Sequence, residues 1–333
     1  MAYVKITGYT DEEFEEKVNP VNKEIIGEFL TQRHLSEQTL KQYKSSVYIF
    51  AKWITESKGK DVTFAKLKSR DALRFQNYLI DLGLSTSAVK LKRSVVSSLF
   101  NFIEIYWTDE DGFENIRNIF NKAIPQVGNV KKKEKVPLTM KETAKIKKVL
   151  EENQEWQKLA LFLTMYSTAG RRAEIVQLRS EIVDYNKYTN KAGVEQEFYY
   201  SHNIRGKGKG LEGKEIRLMI GEEAMEAIKK WITYRKEITG LSHEYIFTSY
   251  DKNKNEISNI NVTTINAWVD KFGEIIGRKI HPHLIRATRS TDIVVNEGKD
   301  IRFAQSLLNH ASSETTDKFY VIREEDDDMG DIF

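Results

Sequence analysis

A chain of 333 residues with 30% charged and 11% aromatic side chains is long enough for two cores and too apolar to stay disordered. It has no cysteine, which excludes disulfides, a thiol nucleophile and Cys-ligated zinc; it has no apolar run of membrane-spanning length, and its acidic start MAYVKITGYTDEEFEE lacks the apolar segment of a secretion signal. The net charge of +3 hides an uneven distribution: Val321–Phe333 holds one Arg against six acids, net −5, which leaves +8 on residues 1–320 and points to a polyanionic partner.

In chain order, residues 1–20 read as an N-terminal extension and 21–127 as a helical domain. In LSEQTLKQYKSSVYIFAKWITE, the residues Leu40, Tyr43, Val47, Phe50 and Ile54 recur every three or four positions behind Ser36, a helix N-cap. A second amphipathic helix is expected over about Ser69–Asp81, stopped at Gly83, and a third after GLSTS, with Val89, Val96, Leu99 and Ile103 on one face. Lys41 and Lys44 on the first helix, and Lys90, Lys92 and Arg93 near the start of the third, suit a helix laid into a DNA major groove; an ordinary solvated face explains them as well. Pro125 and Pro137 bracket PQVGNVKKKEKVP, so 128–137 is read as a basic linker, with Lys131, Lys132 and Lys133 as further DNA contacts.

Residues 138–320 read as a larger α+β domain, and 321–333 as an acidic tail. TMKETAKIKKVLEE and EWQKLALFLTMYSTA are helical in pattern. EQEFYYSHNIRGKG and KEIRLMI alternate around a glycine-containing turn, as a hairpin does, and helices are expected from Glu222 onward. GKGLEGKE, Gly208 to Glu215, nearly spells a phosphate-binding P-loop. It puts a carboxylate where the motif needs Ser or Thr and is followed by a strand, so nucleotide binding is rejected.

Three short patterns carry chemistry. In STAGRRAEIVQLR, Glu174 lies one helical turn from Arg171 and is spaced to fix its rotamer. In HPHLIR, His281 and His283 lack the companion ligands of a metal site, whereas His283 and Arg286 share a helix face. There an imidazole beside a guanidinium suits a phosphodiester. Each pattern alone is weak, an ion pair or a chance pairing.

Their order is the stronger signal. Arg in TAGRRAE, Lys in the GKG between two strands, HLIR, LLNH and TTDKFY together resemble the tyrosine recombinase (phage integrase) family, whose motifs run TGxRxxE, a hairpin lysine, HxLRH, LGH and TTxxY. The resemblance covers nearly the whole chain. LSEQTLKQYKSSVYIFAKW and LSTSAVKLKRSVVSSLFNF look like the family's core-binding domain, and KVPLTMKETAKI like the entry to its catalytic domain. The departures are Ala169 and Gly170 for Gly-Leu, Ile285 for Leu, Ala287 for the second His of HxLRH, and Asn309 for Gly.

The resemblance implies a mainly α fold with a small β component: a helical core-binding domain plus an α+β catalytic domain, closing as a C-shaped clamp on DNA. It implies a site-specific recombinase that cuts and rejoins DNA through a 3′-phosphotyrosyl bond, in integration or excision of a mobile element. Arg171 and Arg286 would grip the scissile phosphate, and His283 and His310 would add hydrogen bonds and manage protons. Lys207 would protonate the leaving 5′-oxygen, with Lys209 as the alternative register, and Glu174 would orient Arg171. No cofactor and no metal is called for. The partners implied are double-stranded DNA with paired sites and a homotetramer on it, with room for accessory DNA-bending proteins; no membrane is involved, and the compartment is the cytoplasm at the nucleoid. A telomere resolvase, a type IB topoisomerase or a non-catalytic DNA-organising protein are the alternatives.

One position departs where it matters most. Nine residues after His310, and three after Thr316, where the family's nucleophile stands, this chain has Phe319; Tyr320 follows. Neighbours on a helix point about 100° apart, so Tyr320 reaches the slot only through a one-residue distortion. The expectation is that Phe319 marks the nucleophile position in a cleavage-dead form; the rival is a natural irregularity that brings Tyr320 in. In the tail, MGDIF after EEDDD is expected to dock on a neighbouring copy rather than on DNA.

Overall fold

The computed structural model describes residues 4, 6–121, 125, 136–208 and 213–308, which form two compact units. One is drawn from Met1–Lys132 and the other from Lys133–Gly208 and Glu212–Phe333.

The first unit is helical: α1 (Asp11–Lys17), α2 (Pro20–Leu30), α3 (Glu37–Lys58), α4 (Ser69–Asp81) and α5 (Thr86–Tyr106). Each start has a local cause. Ser36 Oγ accepts from the Thr39 amide and Ser85 Oγ from the Ala88 amide, and Pro20 fills the first position of α2 behind Asn19. Phe50 on α3 is the hub of an aromatic core, with ring centroids at 4.9 Å from Phe75, 5.5 Å from Phe120, 5.9 Å from Phe64 and 6.2 Å from Phe100. Residues 6–20, set apart in the sequence as an extension, instead contribute to this core. Tyr9, Phe14 and Val18 are buried, and Phe14 stacks on Tyr48 of α3 at 4.1 Å.

The second unit holds α6 (Met140–Glu152), α7 (Trp156–Thr168), the short α8 (Arg172–Ile175), α9 (Glu222–Thr239), α10 (Val262–Ile276), α11 (Pro282–Thr291) and α12 (Ile301–Leu307). The α7 helix is apolar nearly all round, as a central helix must be, and packs against α6, α9 and α11. The expected hairpin is present as two nested antiparallel pairs. The outer pair is β1 (Phe198–Tyr200) with β4 (Met219–Gly221), in register Tyr199 opposite Ile220. The inner pair is β2 (Ile204–Gly206) with β3 (Lys214–Ile216), in register Arg205 opposite Glu215. A strand follows the GKGLEGKE stretch rather than the helix a P-loop requires. A further hairpin, β5 (Thr248–Asp251) with β6 (Glu256–Asn259), interrupts the region read as helical.

Buried Arg235 of α9 binds this unit together, with no carboxylate partner among the described residues. It donates to the carbonyls of His243, Tyr245 and Ile246 at 2.8–3.2 Å, while Trp231 Nε1 donates to Ile246 at 2.8 Å.

Candidate active site

The site is built around the end of α7. The helix stops where Ala169 turns into the left-handed region, φ 47° and ψ 29°. Gly170 follows because a Cβ there would lie 2.7 Å from Ile175 Cδ1 and 2.9 Å from Thr168 Oγ1. The chain then extends at Arg171, the N-cap of α8. Glu174, 2% exposed, uses both carboxylate oxygens on this one residue. It accepts from the Arg171 amide at 2.7 Å and from Arg171 Nη1 at 2.8 Å. The rest of that guanidinium fork has no partner among the described residues.

Arg286 reaches the same spot from α11. It is 2% exposed, with Nη1 donating to the Ala169 carbonyl and Nη2 to the Leu308 carbonyl at 2.7 Å. Its guanidinium thus joins the end of α7, two residues before Arg171, to the end of α12, two residues before His310. His283 stands one turn before Arg286. Its ring reaches solvent, yet its pKa is lowered, first by the protein crowded against it and then by Arg172, Arg286, His281 and Arg171. A neutral imidazole therefore faces a cluster of guanidinium groups, the electrostatics of a phosphate pocket.

Lys207 lies outside that cluster, exposed just past β2. What ties its strand to the site is Gln177, in the turn after α8. Gln177 Nε2 donates to the Arg205 carbonyl at 3.0 Å, and the Arg205 amide donates to Gln177 Oε1 at 2.9 Å.

Sequence reasoning missed two residues here. Arg172 donates to Asn266 Oδ1 of α10 at 2.5 Å and is the first of the cations acting on His283. Gln177 carries the hairpin. Arg172 stood beside a selected residue, and Gln177 one turn after Glu174, but their partners lie 94 and 28 positions away in the chain.

His281, weighed as a metal ligand, is the N-cap of α11 and accepts from the Leu284 amide through Nδ1 at 3.1 Å. No group of three metal-ligating side chains exists among the described residues. His310, Phe319, Tyr320, Lys209, Lys131, Lys132, Lys133 and the acidic tail lie outside the described residues.

The candidate DNA contacts of the first unit differ in their surroundings. Lys41 pairs with Glu37 at 2.5 Å and Lys44 with Asp11 at 2.7 Å, exposed pairs that contribute little to stability. Lys90 is exposed, and Lys92 is half-buried, with burial lowering its pKa. Arg93 turns inward: Nη1 donates to Gln76 Oε1 and, at 3.3 Å, to the Pro125 carbonyl, to which Gln76 Nε2 also donates at 3.2 Å.

Comparison with known proteins fits this arrangement. A profile of the phage integrase family matches residues 136–326, and one of its N-terminal SAM-like domain matches residues 24–105. The SPbeta prophage-derived recombinase-like protein YomM of Bacillus subtilis (strain 168) is 33% identical over 327 residues, 96% of this chain and 92% of that protein. Tyrosine recombinase XerC of Staphylococcus aureus (strain MSSA476) is 25% identical over 306 residues, 91% of this chain and 92% of that protein. Among solved structures, the Tn1549 transposon integrase in complex with circular intermediate DNA superposes with a TM-score of 0.65 at 16% identity, covering 93% of this chain and 98% of that one. A lambda integrase from a tetramer bound to a Holliday junction gives 0.59 at 18%, covering 96% and 83%. With the Arg–Glu pair at the end of α7, the His and Arg one turn apart on α11, and both profiles matched in order, the chain belongs to the phage integrase family of tyrosine recombinases.

Proposed function

We propose that this chain is a tyrosine-type site-specific recombinase, built to cut and rejoin double-stranded DNA at paired sites through a 3′-phosphotyrosyl intermediate, and that it stands here in a form with Phe319 in place of the tyrosine nucleophile. One observation carries the reading: Arg171, fixed by buried Glu174, and Arg286, bound to the Ala169 carbonyl, converge beside a neutral His283. Two guanidinium groups held before substrate arrives stabilise charge most where it accumulates, on the oxygens of a pentacoordinate phosphorus.

In this mechanism the tyrosine oxygen attacks the phosphorus and the bond to the 5′-oxygen breaks. The tyrosine's proton passes to neutral His283, Lys207 gives one to the departing 5′-oxygen, and His310 adds a hydrogen bond to the phosphate. The 5′-hydroxyl of a partner strand then attacks the phosphotyrosyl bond and frees the tyrosine. The phosphodiester energy is stored in the covalent link, so rejoining draws on no nucleotide hydrolysis. Exchange between two duplexes needs four such sites, and the likeness to a lambda integrase tetramer on a Holliday junction supports a homotetramer. Lys41, Lys44, Lys90, Lys92 and the linker lysines Lys131, Lys132 and Lys133 supply contacts to the phosphate backbone. No helix among the described residues is long and apolar enough to cross a membrane.

Phe319 occupies the nucleophile position, and the chain as given is cleavage-dead: replacing a tyrosine by phenylalanine removes one oxygen and keeps the packing of the ring. The test uses nicked suicide DNA, with covalent adducts resolved on a denaturing gel. The chain as given should form none and Phe319→Tyr should form one. An adduct with the unaltered chain, lost in Tyr320→Phe, overturns the Phe319 assignment and keeps the chemistry. No adduct with any variant, beside intact DNA binding, favours a DNA-organising protein instead.

A further inference from the structure

We infer that Gln177 is a positioning residue for the general-acid lysine, holding the hairpin that carries Lys207 against the segment that carries Arg171. The inference rests on the assignment of Lys207 above. The Gln177 carboxamide pairs with Arg205 as a neighbouring strand would, giving one hydrogen bond to its carbonyl and taking one from its amide. Its Nε2 also donates to the carbonyl of Ala173, the residue before Glu174, so the amide is braced against α8 from behind.

A second contact joins the same two segments, where the Gln177 carbonyl meets His202 Nε2 at 3.1 Å. Among the described residues the strand partner of β2 is β3, in a two-stranded sheet that gives little support of its own. Lys207 follows directly on the last residue of β2, at a bend two residues past Arg205. A shift of Arg205 therefore carries Lys207 with it. The seven residues Arg171–Gln177 thus set two catalytic groups: Glu174 fixes the arginine that grips phosphate, and Gln177 fixes the strand that delivers the proton.

A general acid matters only when the leaving group is poor. Replacing the 5′-bridging oxygen of the scissile phosphate by sulfur gives a thiolate leaving group that departs without protonation. In the full-length Phe319→Tyr chain, which has a hydroxyl at both ring positions, Lys207→Ala should cleave ordinary DNA about 10²-fold or more slowly and recover to within a few-fold on the phosphorothiolate. Gln177→Ala should follow the same pattern with a smaller loss, about 10-fold, and add nothing to Lys207→Ala in the double variant. Gln177→Glu, which keeps the acceptor for the Arg205 amide and loses the donor to its carbonyl, should fall between Gln177→Ala and the parent. Amide hydrogen exchange should rise in Gln177→Ala over 204–206 while α7 stays protected. Equal slowing of Gln177→Ala on both DNAs, or none on either, overturns the inference. Failure of the phosphorothiolate to rescue Lys207→Ala overturns the lysine assignment instead.

Discussion

Ala169 is the residue where strain and function meet. A left-handed alanine costs roughly 1–2 kcal/mol, and the family's usual Gly-Leu would relieve it. Yet Ala169 is wholly buried and packs in a small apolar cluster with Ile293, Ala304, Leu307 and Leu308, beneath α12. Removing its methyl loses about 0.8 kcal/mol of burial, and glycine adds about 0.5–1 kcal/mol of chain entropy to the unfolded state. These effects nearly cancel, so Ala169→Gly should leave the thermal midpoint within about 3 °C of the parent. Ala169→Val meets both a disfavoured backbone region and a filled cluster; it should lose more than about 2 kcal/mol. In the Phe319→Tyr background it should also slow cleavage, because the Ala169 carbonyl anchors Arg286. Calorimetry of the two variants checks this, and a Val variant as stable as the parent sinks it.

At the scale of elements, α6 and α11 are joined where the chain enters the second unit. Arg278 donates through Nε to Glu142 Oε1 at 2.6 Å and through Nη2 to Glu142 Oε2 at 2.8 Å. It also donates to the carbonyls of Val136 and Pro137 at 3.0 and 2.7 Å, while Thr288 of α11 accepts from the Leu138 amide at 2.9 Å. The hydrogen bonds from Arg278 hold Glu142 down to about 2. A carboxylate whose folded pKa is depressed adds stability that is present above its ordinary value of 4.5 and disappears as pH falls from there toward 2. Screened by solvent at this partly exposed pair, the contribution at neutral pH is on the order of 1 kcal/mol. Glu142→Gln should therefore destabilise the second unit at pH 7 and converge on the parent near pH 2–3. Denaturant midpoints across that range measure it, and a gap that stays constant with pH refutes it.

The elements also mark what the sequence made legible. Helices α3, α4 and α5 follow from apolar spacing, helped by serine caps on α3 and α5, and α4 begins and ends where its pattern does. The β5–β6 hairpin did not stand out, because SYDKNKNEIS is polar apart from Tyr250 and Ile257 and its strands lie largely exposed, with no apolar alternation to read. The packing of α1 was hidden by its acidic composition, since a single Phe14 stacked on Tyr48 carries the contact. In the site, Arg171, Glu174, His283 and Arg286 were readable as motif letters. The roles of Gln177 and Arg172 come from partners brought in by folding, which no local pattern encodes.

On the scale of the whole molecule, affinity for DNA and chemistry on it should be separable. The +8 carried by residues 1–320 is spread over many lysines and arginines, and each phosphate contact adds about one counterion to the salt dependence of binding. Arg286 is one buried cation among them, with two of its donors committed to the carbonyls of Ala169 and Leu308. Arg286→Ala in the Phe319→Tyr background should bind DNA within a few-fold of the parent, with a salt slope lower by no more than about one, whereas cleavage should fall by about 10²-fold or more. Truncation also strands two buried carbonyls, at about 1–3 kcal/mol each, so Arg286→Lys serves as the companion that keeps a charge, with its donors on one nitrogen. It should fold like the parent and still cleave poorly, because an ammonium cannot span both carbonyls and a phosphate as the planar fork does. Lys90→Ala and Lys92→Ala provide the opposite signature, each lowering the salt slope by about one and leaving the cleavage rate of bound DNA intact. A variant of Arg286 that binds weakly but cuts at the parental rate once bound would remove it from the phosphate grip.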